Sequence, residues 1–315
     1  MKPLSLIFFL LLSALLVWLS AGIGFGGWQA PHTLEPVMLE IRLPRVAAAL
    51  LVGAALSAAG AGLQALFENP LADPGLIGTS AGAALGVVGV LALGWTGVSV
   101  PLAAFAGALA VCLLILVAHR FTGGGISGLL ILGLIVSAFC SATVSLILFL
   151  SDDLTLRSAS IWLAGSLAEA GFVPPGRVAL VMLAGLALLL SCGRGLDCLM
   201  LGEDTAHSSG IAVGRLRVQT VIAAALLTGA AVSLSGIIGF IGMMVPNILA
   251  SAVGGGRRRL IVLSAWLGGM MLLVLDSAAR WIAFPVDLPV GIVIALLGGP
   301  FFMWLFLHSI HRKAG

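Results

Sequence analysis

The chain has 315 residues, 61% of them hydrophobic and 9% charged, with 42 glycines and no tyrosine. A soluble domain carries about 25% charged residues, so this composition cannot cover a water-facing surface. It implies a single membrane-embedded domain over residues 1–315, an all-α polytopic fold with no room for a soluble module. The formal net charge is only +3, and no basic run interleaves with aromatics, which excludes a nucleic-acid partner.

Lys2 and the apolar run Leu4–Val17 have the form of a signal peptide. The apolar character continues through Gly27 with no small-residue cleavage site, so the expectation is an uncleaved first span. At roughly 20 apolar residues per crossing, hydrophobic runs give about ten transmembrane helices: 4–26, 46–66, 76–96, 99–119, 127–150, 174–192, 217–235, 238–253, 260–282 and 287–307. Small residues at spacing four, Gly53, Ser57 and Ala61 in the second span and Gly82 and Gly86 in the third, predict close helix packing. With both termini cytoplasmic, ten of the fifteen Lys and Arg residues lie inside, the bias expected of inner-membrane proteins. Arg42, Arg45, Arg157, Arg177 and Arg280 remain outside.

Composition also removes most enzymes. Only Lys2 and Lys313 are lysines, one near each end, and a phosphate-cradling P-loop needs a lysine after its glycine-rich turn. Cys112, Cys140, Cys192 and Cys198 lie in apolar stretches with no zinc-site spacing and read as small hydrophobes, so no metal ligands are expected. His32, His119, His207, His308 and His311 fall in loops or termini, and no nucleophile, base and orienting group cluster.

Three segments break the pattern of plain spans. Phe67–Gly75 holds two prolines and a glycine, a rigid non-helical turn on the cytoplasmic side that is either a tight connection or something more. Arg194–Arg217, the longest internal loop, contains Leu201–Gly210, a short helix with Glu203 and Asp204 at its favourable positive end, a loop filler or a docking element for a separate motor. Gly236–Asn247 carries three glycines and a proline at membrane depth, tolerated only where protein or a cavity surrounds it. Met243 and Met244 there line an adaptable passage or simply fill the core. Asp276 and Arg280, four apart near the outer end of the ninth span, share a helix face and can pair. An ion-coupled secondary transporter with a midplane site is the alternative class; the scarcity of buried carboxylates argues against it.

Taken together, these motifs resemble the permease subunit of type II ABC importers for iron chelates, heme or vitamin B12, the FecCD family. The resemblance runs from about Glu40 to Leu307. It rests on Arg42-Leu43-Pro44-Arg45, Gly53-Ala54-Ala55-Leu56, Gln64 with Asn69-Pro70-Leu71-Ala72-Asp73-Pro74, Gly78-Thr79-Ser80-Ala81-Gly82-Ala83 and Trp162 with Gly165-Ser166-Leu167. It continues through Leu201-Gly202 with Ala206 and Gly210, Gly239-Phe240-Ile241-Gly242, Asp276, Arg280, Leu288-Pro289-Val290-Gly291 and Gly298-Gly299-Pro300-Phe301. The resemblance implies a second permease copy, identical or a close paralogue, and two cytoplasmic ATPase subunits that use the ATP. It implies a periplasmic or lipid-anchored substrate-binding protein, and no cofactor bound by this chain. By position, Arg42, Arg45 and Arg280 would face the binding protein. Leu201, Gly202, Glu203, Asp204, Ala206, Ser209 and Gly210 would form the coupling helix, and Gln64, Asn69, Pro70, Ser80, Gly82, Met243 and Met244 would border the translocation path. Pro246-Asn247 followed by Ala250 departs from the family's Pro-His and nearby Arg, and Ser209 stands where leucine is common. Ala72–Gly78 and Ser151–Arg157 look closest to heme-type permeases, while Phe67-Glu68-Asn69-Pro70 is similar to vitamin B12 permeases.

Overall fold

A computed structural model describes residues 3–24, 27–31, 36–122, 124–170, 175–282 and 285–314. The chain is helical nearly throughout. Helix α1 (Pro3–Gly22) ends in a two-stranded ribbon pairing Ile23 with Trp28 and Gly24 with Gly27, so the first span stops short of the expected residue 26. One π-helical turn, Met38–Arg42, leads into α2 (Leu43–Leu66), where Pro44 sits in the first turn and needs no partner for its missing N–H. A 3₁₀ turn, Pro74–Ile77, precedes α3 (Thr79–Leu93); α4 (Val100–Thr122) and α5 (Gly125–Phe149) follow.

Helix α6 (Asp153–Leu163) was not anticipated, because hydropathy windows pass over so short a segment with charges in it. Its start is legible in hindsight: the Asp152 carboxylate accepts the Thr155 N–H at 3.2 Å, an N-cap. Helix α7 (Pro175–Leu199) runs a full seven residues past the expected residue 192, and α9 (Val213–Ser235) begins four before 217. A charge in the α7 extension and one at the expected start of α9 both find partners. Asp197 accepts the Arg257 N–H at 2.8 Å, and Arg217 pairs with Glu203 at 2.6 Å. Only short turns therefore flank α8 (Glu203–Ser208) where a long loop was expected. Helices α10 (Ile241–Ala252), α11 (Arg257–Ile282) and α12 (Val290–Ala314) complete the chain.

Among the described residues, six helices are long and apolar enough to cross a membrane: Met38–Leu66, α4, α5, Gly176–Leu199 of α7, α9 and α11. Four shorter apolar stretches lie in α1, α3, α10 and α12. The most apolar stretches of α2 and α9 are 78% buried, that of α5 only 17%. Thus α2 and α9 form the centre and α5 the periphery. Helix α11 lies along α2, α7 along α9, and α3 along α4. The small-residue stripes do what their spacing predicts. A side chain at Gly53 would run into the Gly268 carbonyl of α11, and one at Gly82 or Gly86 into the Gly107 or Ala103 carbonyl of α4. The start of α2 and the end of α11 share one end of the bundle, the arginine end. The end of α2 and the start of α11 share the other, the α8 end.

Candidate functional site

At the arginine end, Arg45 is nearly buried, and its guanidinium is fully committed. It donates from Nε and Nη2 to Asp276 at 3.0 and 2.9 Å, and from Nη1 and Nη2 to Asp287 at 2.7 and 3.0 Å. Asp276 is 1% exposed and also lies 3.2 Å from Arg280 Nε, the helical i, i+4 pair expected from spacing. Arg280 spends its other nitrogens on α1 and its exit, donating to Ile23 O at 2.7 Å and to the Ser20 hydroxyl at 3.1 Å. Two fork-shaped cations and two carboxylates thus bind α1, α2, α11 and the approach to α12 together. Such geometry is what lets buried charges coexist.

Arg42 is bound far more loosely, with contacts to Ala21 O at 3.5 Å and Gln29 Oε1 at 3.4 Å. It borders a cavity of about 260 Å³ together with Arg45, Arg280, Asp287, Val37 and Ile41. Three arginines against two aspartates leave a positive excess there. Of the three arginines singled out in the sequence, the structure brings all three together, with Arg42 the least engaged and Arg45 held internally. Asp287 was missed: no sequence spacing announces a partner 242 residues from Arg45.

At the α8 end, α8 stands clear of the bundle. Of its six residues only Ala206 is buried; Glu203, Asp204 and the flanking Leu201, Ser209 and Gly210 are exposed, Leu201 at 73%. Gly202 at φ +106° and Gly210 at φ +77° make the turns into and out of it, conformations that favour glycine. The Glu203–Arg217 pair fixes its angle to α9.

Between the ends, α9 stops at Ser235, and Phe240, at φ +66°, sits in a region unfavourable for a bulky residue before α10 begins. Gly60 of α2 packs so closely on the Gly242 carbonyl that no Cβ fits. One turn on, Gln64 Nε2 donates to Met243 O at 3.1 Å. Asn247 Nδ2 donates both to Pro70 O at 2.7 Å and to Met243 O at 2.9 Å. Gln64, Asn69, Pro70 and Met243 of the expected path therefore come together at the foot of α2. Gly82 and Met244 are buried inside the chain, and Ser80 borders a separate cavity of about 390 Å³ against α5. In the same loop, Asp73 accepts the Gly75 N–H at 2.7 Å, and burial pushes its carboxyl above the usual range while that hydrogen bond pulls it down. Among the described residues, no three His, Cys, Asp or Glu side chains assemble as metal ligands would.

The profile of the FecCD transport family matches residues 3–308. The chain belongs to the FecCD transport family. It is 38% identical over 288 residues to the hemin transport system permease protein HmuU of Yersinia pestis, covering 89% of this chain and 85% of that one. It is 37% identical over 297 residues to the vitamin B12 import system permease protein BtuC of Vibrio cholerae, covering 93% and 88%. A solved inward-facing structure of a metal-chelate type ABC transporter superposes with a TM-score of 0.88 at 29% identity, covering 98% of this chain and 100% of that one. The chain is thus a multi-pass inner-membrane permease of a type II ABC importer. ATP hydrolysis belongs to a separate subunit, and an ATPase and a substrate-binding protein are its partners. FecCD membership sets aside the ion-coupled transporter.

Proposed function

We propose that this permease passes an intact iron chelate, heme or a ferric siderophore, handed over at the arginine end and drawn through by ATPases docked at the α8 end. The observation that carries the reading is the pairing of opposite surfaces on one bundle. A positively charged cavity with a loosely held Arg42 sits at one end, and an exposed acidic helix with one buried residue at the other. The arginine end faces outward and receives carboxylates of the binding protein, chiefly on Arg42 and Arg280, an arrangement that speeds and orients encounter. Leu201, Gly202, Glu203, Asp204, Ala206, Ser209 and Gly210 seat in the ATPase, so that closure of the motor shifts α8 and switches access.

In this reading residues 1–315 form one domain crossing the membrane ten times, with both termini cytoplasmic. A second copy or paralogue completes the path, bordered by Gln64, Asn69, Pro70, Ser80, Gly82, Met243 and Met244. Two ATPases bind the ATP, and this chain holds no cofactor. Vitamin B12 is the competing cargo, favoured by the similarity to BtuC.

Mild-detergent purification from native membranes should bring down an ATPase at about one copy per permease. ATP-driven uptake by the reconstituted importer should then respond to hemin or a ferric siderophore. Uptake of cobalamin alone replaces the cargo; failure with all three chelate classes removes the reading. Arg42→Glu with Arg280→Glu should weaken capture of the binding protein, and unchanged docking would remove the arginine assignment.

A further inference from the structure

Three contacts run in register down one side of α10. The Gly242 carbonyl meets Gly60, the Met243 carbonyl accepts from Gln64, and Asn247 reaches Pro70. The first two join α10 to α2, helix to helix. The third is the hydrogen bond that joins α10 to the segment 67–78, beside the packing of Gly242 on the Pro74 ring; the segment's own hydrogen bonds are local turns: Leu71 N–H to Asn69 Oδ1 at 2.9 Å, Ala72 N–H to Asn69 O at 3.1 Å and Thr79 Oγ1 to Pro74 O at 3.0 Å.

We infer that Asn247 is a positioning residue, a two-donor clip that makes α10 and the segment 67–78 move as one piece. Both of its partners are carbonyl oxygens, so the amide nitrogen must face them, and its two hydrogens serve one each. No other uncharged side chain of this size carries two donors on one atom except glutamine, which is longer. A neutral imidazole has one N–H and can serve only one of the two carbonyls; both ring nitrogens donate only in the imidazolium. Asparagine at 247 therefore makes the tie independent of pH. The inference rests on the importer reading for its purpose, the passing of α10 motion to the mouth of the path. The tie itself stands without that reading.

The test uses the permease with its copurified ATPase in lipid nanodiscs, with hydrogen exchange of the peptide spanning 66–78 followed from pH 6 to 8. Asn247→Leu should speed exchange of the Glu68–Ala72 amides about five-fold, the loss of a single ordinary hydrogen bond, while α2 amides hold the parent rate. Asn247→His should exchange between the leucine variant and the parent at pH 8, where a single N–H must leave one of the two carbonyls unserved, and approach the parent at pH 6, around an imidazole pKa of about 6.5. α10 carries no charged residue, and α2 has only Arg45 at its far end. Glu68 and Asp73 of the segment and Arg257, Arg258 and Arg259 of α11 are common to parent and variants, and the parent's profile subtracts whatever they contribute. Parent-like exchange in the leucine variant, or a histidine profile parallel to the parent's, overturns the inference. Absence of ATP-driven uptake by the parent would instead strike the importer reading and leave the exchange result to decide the tie.

Discussion

At the arginine end, Asp276 is withdrawn from water and meets Arg45 and Arg280, with Asp287 completing the set. At the α8 end, Asp73 is also withdrawn, yet among the described residues no cation pairs with it, and its support is the Gly75 N–H. The first end is held by full charges that cannot be separated cheaply. The second has a half-exposed Glu203–Arg217 pair at its surface, but around Asp73 it is held by neutral amides, Gln64 and Asn247, and by a close backbone approach at Gly60. Charge networks have few alternative arrangements, whereas amide-to-carbonyl contacts can be remade one turn along. With the arginine end facing outward as proposed, a permease that keeps its outer rim constant while its inner end changes shape would place them this way round.

The comparison breaks most sharply at Asp276. Asp276→Ala leaves Arg45 and Arg280 with one carboxylate between them, and removing one member of a buried pair costs about 3–5 kcal/mol. The variant should lose its monodisperse peak in size-exclusion chromatography or melt far below the parent; a parent-like melting temperature would mean the network is ornamental. Next, Gly60→Ala forces a methyl onto the Gly242 carbonyl, and overpacking of this kind costs about 1–3 kcal/mol. Thermal unfolding should show a clear drop, and none would mean that α2 and α10 separate easily. Asp287→Ala should cost less than Asp276→Ala, about 1–2 kcal/mol, because Asp287 is partly exposed and Arg45 keeps its other partner. Equal losses for the two aspartates would erase the distinction between buried anchor and outer partner.

The smallest effect runs in the opposite direction. Because the folded carboxyl of Asp73 lies above its ordinary 3.8, the native state binds the proton more tightly than the unfolded chain. Stability then falls as pH rises above the ordinary carboxylate range, and the penalty is complete only above the raised folded value. Asp73→Asn keeps an oxygen for the Gly75 N–H and removes the charge. Its melting temperature should exceed the parent's at about pH 7, with the gain gone below about pH 4; a gain that persisted in acid would place its origin elsewhere.

Hydropathy alone located ten apolar stretches, and the i, i+4 spacing of Asp276 and Arg280 foretold their pairing. Charges at helix ends misled it. A window that stops at Arg194 or Arg217 cannot know that Asp197 will receive Arg257 and Glu203 will receive Arg217, letting both helices continue. The commitment of Arg45 was unreadable for the same reason, since both of its aspartates come from the last fifth of the chain. The arginine triplet could be named from motif, but not how unequally its members are occupied. Asn247 was visible only as an oddity of pattern until the Pro70 carbonyl appeared beside it.

The distance along the chain between Arg45 and Asp276, 231 residues, also sets a clock. A ribosome adds about 5–20 residues per second, so Asp276 emerges on the order of ten to fifty seconds after the arginine that needs it. For that interval every nascent copy holds a guanidinium at the edge of the bilayer with no carboxylate to meet, able only to bend toward the headgroups. Helix α11 and the approach to α12 are therefore what release α2 from waiting, and a chain cut short before α11 leaves its synthesis already marked as incomplete.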